Sequence, residues 1–275
     1  MGPVRIGILT HGEIERMDIL LTLCLTAFIA GVVNSVAGGG TLLTFPALGV
    51  VFSSLGHSDA DAMVFANATS TTALVPGSVA GAWGYRGEVA HTRRWLLLLA
   101  LPSLVGGVLG SLLVTKLDAK YFAALVPWLL LAAAILFLFD TVVPKKKPDT
   151  SSQPGHSVRA MTSLAFFQLL VAIYGGYFGA GMGILMLSSL ALMGVGNIHE
   201  MNALKSILGS IINGVSVVVF VVEGQVFWRY ALPMAVAAII GGYLGARLAL
   251  RIRPRYVRWA VIAIGFGLAG YYFFH

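Results

Sequence analysis

Lys205 lies inside an apolar run, in Asn202-Ala-Leu-Lys-Ser206. An ionisable group in a membrane helix costs about 3 kcal/mol on insertion scales, so such residues usually face a cavity and mark a pathway. A second reading is snorkelling, since Lys205 follows soon after Glu200 and its stem is long. A matching segment, Asn67-Ala-Thr-Ser-Thr-Thr72, is polar in the same place. When Asn67 is set on Asn202, Ser70 aligns with Lys205 and Thr71 with Ser206. Amides and hydroxyls around one lysine are chemistry for a small oxyanion: a point charge with three donors, surrounded by neutral donors. The candidate ligands are Lys205, Asn202, Ser206, Asn67, Ser70, Thr71 and Asn34, with Ser35, Thr41, Ser188 and Ser189 as further donors. Against any single hydroxyl stands its common use in a membrane helix, bonding the carbonyl one turn back.

Two glycine-rich stretches would hold these ligands in place. They are Asn34-Ser-Val-Ala-Gly-Gly-Gly-Thr-Leu-Leu-Thr-Phe-Pro46 and Tyr174-Gly-Gly-Tyr-Phe-Gly-Ala-Gly-Met-Gly-Ile-Leu-Met186. Each interrupts an apolar run, and glycine costs about 1 kcal/mol relative to alanine inside a helix. Backbone groups released by a break cannot sit against lipid; they need protein, water or a ligand. Interrupted segments at matching places in two halves point to a transporter's binding site. A helix restarting after the break would offer its N-terminal N–H groups and partial positive charge to an anion. Gly39, Gly40, Gly181 and Gly183 are therefore candidates for backbone approach to a ligand. The competing reading is close helix packing, and Gly175, Gly179 and Gly183 have the small-xxx-small spacing for it.

The elements carrying these stretches are membrane helices. Of 275 residues, 58% are hydrophobic and 11% charged, against about 25% charged in a soluble domain. Apolar runs of about 20 residues favour helices over a barrel, whose strands would alternate. Apolar segments are expected at 19–37, 41–52, 62–85, 95–115 and 121–139, and again at 162–178, 183–195, 202–222, 230–250 and 256–274. The second segment of each half is short for a span. The first exceeds a signal-peptide core and is expected to be retained. The fold class is thus an all-α integral membrane protein of 8–10 transmembrane segments, in two inverted repeats with Gly-broken or re-entrant helices. Its parts are an N-terminal tail (1–18), a first repeat (19–140), a linker (141–161) rich in Pro, Ser and Lys, and a second repeat (162–275).

Further matches fall at the offset that joins Asn67 to Asn202. Gly106-Gly-Val-Leu-Gly110 answers Gly241-Gly-Tyr-Leu-Gly245, and Tyr121 answers Tyr256. Loop charge sets the hand of the repeat. With an odd number of crossings per half, Arg86, Arg93 and Arg94 share a side with Lys145, Lys146, Lys147 and Arg159, and with the arginines between Arg247 and Arg258. The other side holds Arg5, Arg16, Lys116, Lys120 and Arg229. The positive-inside rule then makes the linker cytoplasmic and both termini external, and an odd count inverts the repeat. The net charge of +7 reads as topology rather than as a nucleic-acid footprint.

Several chemistries find no support. The single cysteine, Cys24, excludes an intrachain disulfide and a CxxC metal site. The six histidines are dispersed without metal spacing, and no cofactor is expected. Phosphate-loop and hydrolase motifs are absent, so neither an ATP-driven pump nor a familiar enzyme is indicated. Glu223, at a predicted helix end, reads either as a proton-coupling carboxylate or as an interfacial acid.

The stretch from Ala30 through the triple glycine to Leu48, followed by Ala66-Asn-Ala-Thr-Ser70, resembles the TauE/SafE sulfite-exporter family. Gly179-Ala-Gly-Met-Gly183 and Asn202-Ala-Leu-Lys205 fit that family's duplicated pattern, and the similarity runs from about Leu20 to Phe274. The resemblance implies a bacterial inner-membrane carrier exporting sulfite or an organosulfur anion such as sulfoacetate. It also implies drive by a proton or sodium gradient rather than ATP. Partners are then the small anion, the coupling ion and membrane lipid. The alternatives are an anion channel, which would conduct without coupling or saturation, and a carrier for another small anion; an intramembrane enzyme would need a nucleophile–base pair among the glycine stretches.

Overall fold

The computed structural model describes residues 11–36, 39–84, 89–142, 158–192, 198–248 and 254–274. They form α1 (His11–Val36), α2 (Thr41–Ser54), α3 (Asp59–Gly84), α4 (Val89–Lys116) and α5 (Ala119–Val142). The second half supplies α6 (Val158–Tyr177), α7 (Met182–Leu192), α8 (Ile198–Val222), α9 (Trp228–Leu248) and α10 (Pro254–Phe274). No strand occurs among the described residues. By length and composition Met17–Ser35, Thr92–Lys116, Ala119–Val142 and Glu200–Val222 are long and apolar enough to cross a membrane. Shorter apolar helices are Thr41–Ser54, Met161–Tyr177, Met182–Ala191 and Arg258–Phe274.

Helices outrun the apolar segments because good helix formers flank them. α1 begins at His11, ahead of the expected Ile19, through a Glu-Ile-Glu-Arg-Met run of favourable propensity. α3 begins at Asp59, where the Ser58 hydroxyl accepts the Asp61 N–H (3.2 Å) and donates to the Asp61 carboxylate (2.6 Å). That is a serine N-cap, with the Asp61 carboxylate bonded to the capping hydroxyl. Residues 1–10 of the expected tail (1–18) and 143–157 of the expected linker (141–161) lie outside the described residues, as do Arg86, Lys145–Lys147, Arg251 and Arg253. The short second segments are seen as helices of 14 and 11 residues. At 1.5 Å per residue they reach about 21 and 16 Å, against about 30 Å of hydrocarbon.

Packing pairs helices across the halves. α1 lies along α9 and α6 along α4; α3 packs on α9 and α8 on α4; α3 meets α8, and α5 meets α10. The matched glycines are the contact surfaces. A Cβ on Gly106 would come within 2.5 Å of Ala172 Cβ and 2.7 Å of the Leu169 carbonyl, and one on Gly110 would overlap the Ile173 carbonyl. Correspondingly, a Cβ on Gly241 would overlap the Phe28 carbonyl, and one on Gly245 would stand 2.5 Å from Ser35 Oγ. Backbones this close gain dispersion that lipid tails cannot match, which is how small residues drive helix association in membranes.

Ion pairs mark the two ends of the bundle. Lys116 and Glu223 join the ends of α4 and α8 at 2.7 Å, and Arg258 and Asp140 join α10 to α5 at 2.6 Å. Glu223, just past the end of α8, is thus paired with a lysine. Beside the first pair, Lys120 holds the Asp118 carboxyl below its ordinary range through a 2.8 Å contact. Between the ends the outward faces are apolar: Leu97, Leu101 and Leu104 recur at helical spacing on α4 and are exposed. A face of this kind suits lipid rather than water.

Candidate functional site

A cavity of about 170 Å³ opens between the halves, walled by α1, α2, α3, α7, α8 and α9. On α3 it is lined by Thr71, Leu74, Gly77 and Ser78, and on α8 by Lys205, Ser206, Gly209, Ser210 and Asn213. Those positions recur at one-turn and two-turn spacing, so each helix gives one face to the cavity. They also correspond across the repeat: Thr71 with Ser206, Leu74 with Gly209, and Ser78 with Asn213. α1 adds Gly31, Asn34 and Ser35, where the Asn34 amide donates to Ser78 Oγ (3.0 Å) and ties α1 to α3.

Two helix starts open on the same space. Thr41 begins α2, Met182 and Gly183 begin α7, and all three line the cavity. The N–H groups of Leu42 and Leu43 already bond the Gly39 and Gly40 carbonyls, and those of Met182 and Ile184 the Gly179 and Gly181 carbonyls, so these starts offer the cavity their partial positive charge more than free donors. The turn before α7 depends on glycine, because Gly179 (φ +80°) and Gly181 (φ +79°) adopt the left-handed region. The Tyr174 hydroxyl, donating to the Ala180 carbonyl, fixes that turn. Phe178 lines the cavity from it and packs edge-on against Phe45, with ring centroids 5.4 Å apart. Met182 and Met186 complete an apolar wall on α7.

Lys205 is the one ionisable residue among the described residues of the lining. Its stem rests on Gly183, where an added Cβ would meet Lys205 Cδ at 3.2 Å. Gly183 therefore makes room for the lysine.

Of the residues expected from sequence, Lys205, Ser206, Thr71, Asn34 and Gly183 come together in the lining, with Ser35 and Thr41. Asn202, Asn67, Ser70, Gly39, Gly40 and Gly181 are not among the lining residues. Asn67 is buried and donates to the Tyr177 carbonyl at 3.0 Å, pinning α3 to the end of α6. Its Oδ1 has no hydrogen-bond partner among the described residues. Ser70 is buried against the Thr44 hydroxyl, which locks α2 to α3. Gly39 and Gly40 serve packing, since a Cβ on either would press on the Phe137 ring (2.8 Å) or the Ala30 carbonyl (2.6 Å). Ser189 donates to the Met186 carbonyl and Ser188 is exposed. Sequence reasoning missed Ser78, Ser210, Asn213 and the Phe178–Met182–Met186 wall. The signal for Ser78 and Asn213 was present: each lies two turns beyond a named hydroxyl, at matching places in the two halves.

Comparison with known proteins agrees with a transport role. A probable membrane transporter protein of Haemophilus influenzae is 28% identical over 255 residues, covering 91% of this chain and 92% of its own. A probable membrane transporter protein, ORF9, of a Sinorhizobium species is 29% identical over 260 residues, covering 91% of each chain. A probable membrane transporter protein, YfcA, of Escherichia coli K12 is 28% identical, covering 90% of this chain and 86% of its own. These names and the apolar helices make the chain a multi-pass membrane protein and point to transport rather than catalysis. The family described as sulfite exporter TauE/SafE matches residues 23–272, nearly the whole chain, and the protein belongs to that family.

Proposed function

We propose that the protein is a secondary-active carrier that binds a small sulfur-containing anion, sulfite or an organosulfur anion such as sulfoacetate, in the cavity around Lys205. The observation that carries the reading is one lysine, two helix starts and a ring of hydroxyls and amides converging on one space between the halves. Each is a recognised anion device, and together they replace the hydration an oxyanion loses on entry. The setting is the bacterial inner membrane. Export follows the anion's own charge, because an inside-negative potential favours exit by about 2.3 kcal/mol per charge per 100 mV. A proton or sodium gradient supplies any further drive.

The two halves are proposed as inverted repeats with helices interrupted at the glycine stretches. In support, Gly241 faces Phe28 and Gly245 faces Val32, so α1 and α9 run in the same direction. Gly106 faces Leu169 and Gly110 faces Tyr177, so α4 and α6 do likewise. If each connection reverses the chain, α4 runs against α1, and the second half therefore enters opposite to the first. The positive-inside rule makes the linker end cytoplasmic. Single cysteines at Ser151 and at Arg253, in a Cys24→Ser background, should both label only from the cytoplasmic face. Labelling from opposite faces removes the inverted repeat.

Counterflow in proteoliposomes tests the carrier. Labelled sulfite outside should accumulate transiently against an excess of unlabelled sulfite inside, because a carrier exchanges one for the other. Conductance without accelerated exchange would instead make the protein a channel.

A further inference from the structure

We infer that Asn213 touches the transported anion directly, its side-chain amide holding one of the anion's oxygens near the middle of the membrane. This rests on the anion-carrier reading and adds to it a substrate-contacting residue. The argument starts from which lining groups are already spent. The Ser35 hydroxyl donates to the Val32 carbonyl (2.8 Å), Ser78 to Leu74 (3.1 Å) and Ser210 to Ser206 (2.8 Å). A hydroxyl bonded back to its own helix has no hydrogen left for a ligand. Thr71, Ser206 and Asn213 differ: among the described residues no hydrogen bond reaches their side chains.

The helix beside Asn213 explains why its amide is left over. Its repeat counterpart, Ser78, receives the Asn34 amide from α1. α6 packs on α8 as α1 does on α3, but it and the turn after it present glycine. A Cβ on Gly175 would meet Ile212 Cγ2 at 3.1 Å, and one on Gly179 would meet Asn213 Oδ1 at 3.9 Å. Glycine has no side chain to donate or accept, so the amide keeps its donor hydrogens for the cavity. Depth makes this matter. Ile211 is the middle of the apolar span Glu200–Val222, so Asn213 stands about 3 Å from it along the helix. A polar side chain left unsatisfied so far from bulk water is costly, and an anion that presents an accepting oxygen removes the cost. Thr71 and Ser206, matched across the repeat, bring two further unspent hydroxyls to the same lining.

Sulfite and sulfoacetate are titrated into the purified full-length protein and its Asn213→Leu, Asn213→Ala and Asn213→Gln variants, following thermal unfolding. Leucine removes the amide at nearly constant size, and alanine removes it and leaves space. Both should weaken whichever anion the unsubstituted protein binds by about tenfold or more, the usual effect of a lost hydrogen bond to a charged group. Glutamine keeps the amide on a longer stem and should retain part of the affinity. No bond within the protein is lost, so the ligand-free unfolding temperature should not fall in the leucine and alanine variants. If Asn213→Leu crowds the turn at Gly179 and does not fold, Asn213→Ala decides. Unchanged affinity in Asn213→Ala overturns the inference and leaves the carrier in place. A lowered ligand-free unfolding temperature with equal losses in all three variants marks a structural amide and also overturns it. An unsubstituted protein that binds neither anion removes the sulfur-anion reading, and this inference with it.

Discussion

Lys205→Met should cost the protein about 2–4 kcal/mol of anion affinity, the usual loss when one partner of a desolvated charge pair is removed. Methionine keeps an unbranched stem against Gly183 and deletes the ammonium, so the packing changes little while the charge goes. The anion is then left uncompensated in a low-dielectric space. Lys205→Arg should retain part of the affinity, since it keeps the charge but brings a bulkier planar head into a lining shared with Ser206 and Met186. Titration of sulfite into the purified variants, with ligand-free unfolding temperature as the fold control, checks both. Near-native affinity in a folded Lys205→Met protein would favour the snorkelling reading and take Lys205 out of the site. Gly183→Ala is a milder probe of the same contact: its Cβ would press on the flexible Cδ of the lysine, shifting the charge without disturbing backbone.

Gly241→Leu should prevent the folded bundle from forming, with a destabilisation of about 3 kcal/mol or more. A side chain there would enter the Phe28 backbone, touching its Cα at 3.0 Å as well as its carbonyl group. Neither helix can yield locally, because α1 also meets α9 at Gly31, whose Cβ would stand 2.9 Å from the Gly242 nitrogen. Gly106→Leu should do the same to the α4–α6 contact through Ala172 and Leu169. The controls are Gly214→Ala and Gly267→Ala, where nothing lies within 4 Å of the added carbon. Those should be neutral or gain up to about 1 kcal/mol from helix propensity. Monodispersity after detergent extraction and the unfolding midpoint distinguish the classes. A well-folded Gly241→Leu protein would mean that α1 and α9 do not approach backbone to backbone.

The contrast between Gly183 and Gly241 separates two roles that look alike in a sequence. Gly183 sits in a stretch that was consistent with packing or with a site, whereas Gly241 was noted only as a repeat match of Gly106. Only the neighbour decides. At Gly241 it is rigid backbone, and at Gly183 it is the movable stem of Lys205.

The sequence by itself determined that the chain is helical and membrane-bound, because low charge and long apolar runs exclude an aqueous fold. The glycine-rich run at 174–183 was legible as a place for the chain to turn, but the left-handed φ of Gly179 and Gly181 between α6 and α7 is read only in the structure. The pool of candidate site groups was legible too, as Lys205 and the matched polar segments stand out against apolar surroundings. Which members of that pool reach the cavity was decided by tertiary structure. The run from Asn67 to Thr72 is polar on every face of α3, so helical periodicity cannot choose among its side chains. Packing chose: Asn67 went to the Tyr177 carbonyl, Ser70 to Thr44 on α2, and Thr69 to the Phe227 N–H at 3.2 Å, leaving Thr71 to the cavity. A buried polar group takes whichever partner the neighbouring helix presents, and that partner lies far away in the chain. The apolar wall of Phe178, Met182 and Met186 escaped notice for the same reason. In an apolar helix a methionine facing a ligand and one facing a neighbour are spelled alike.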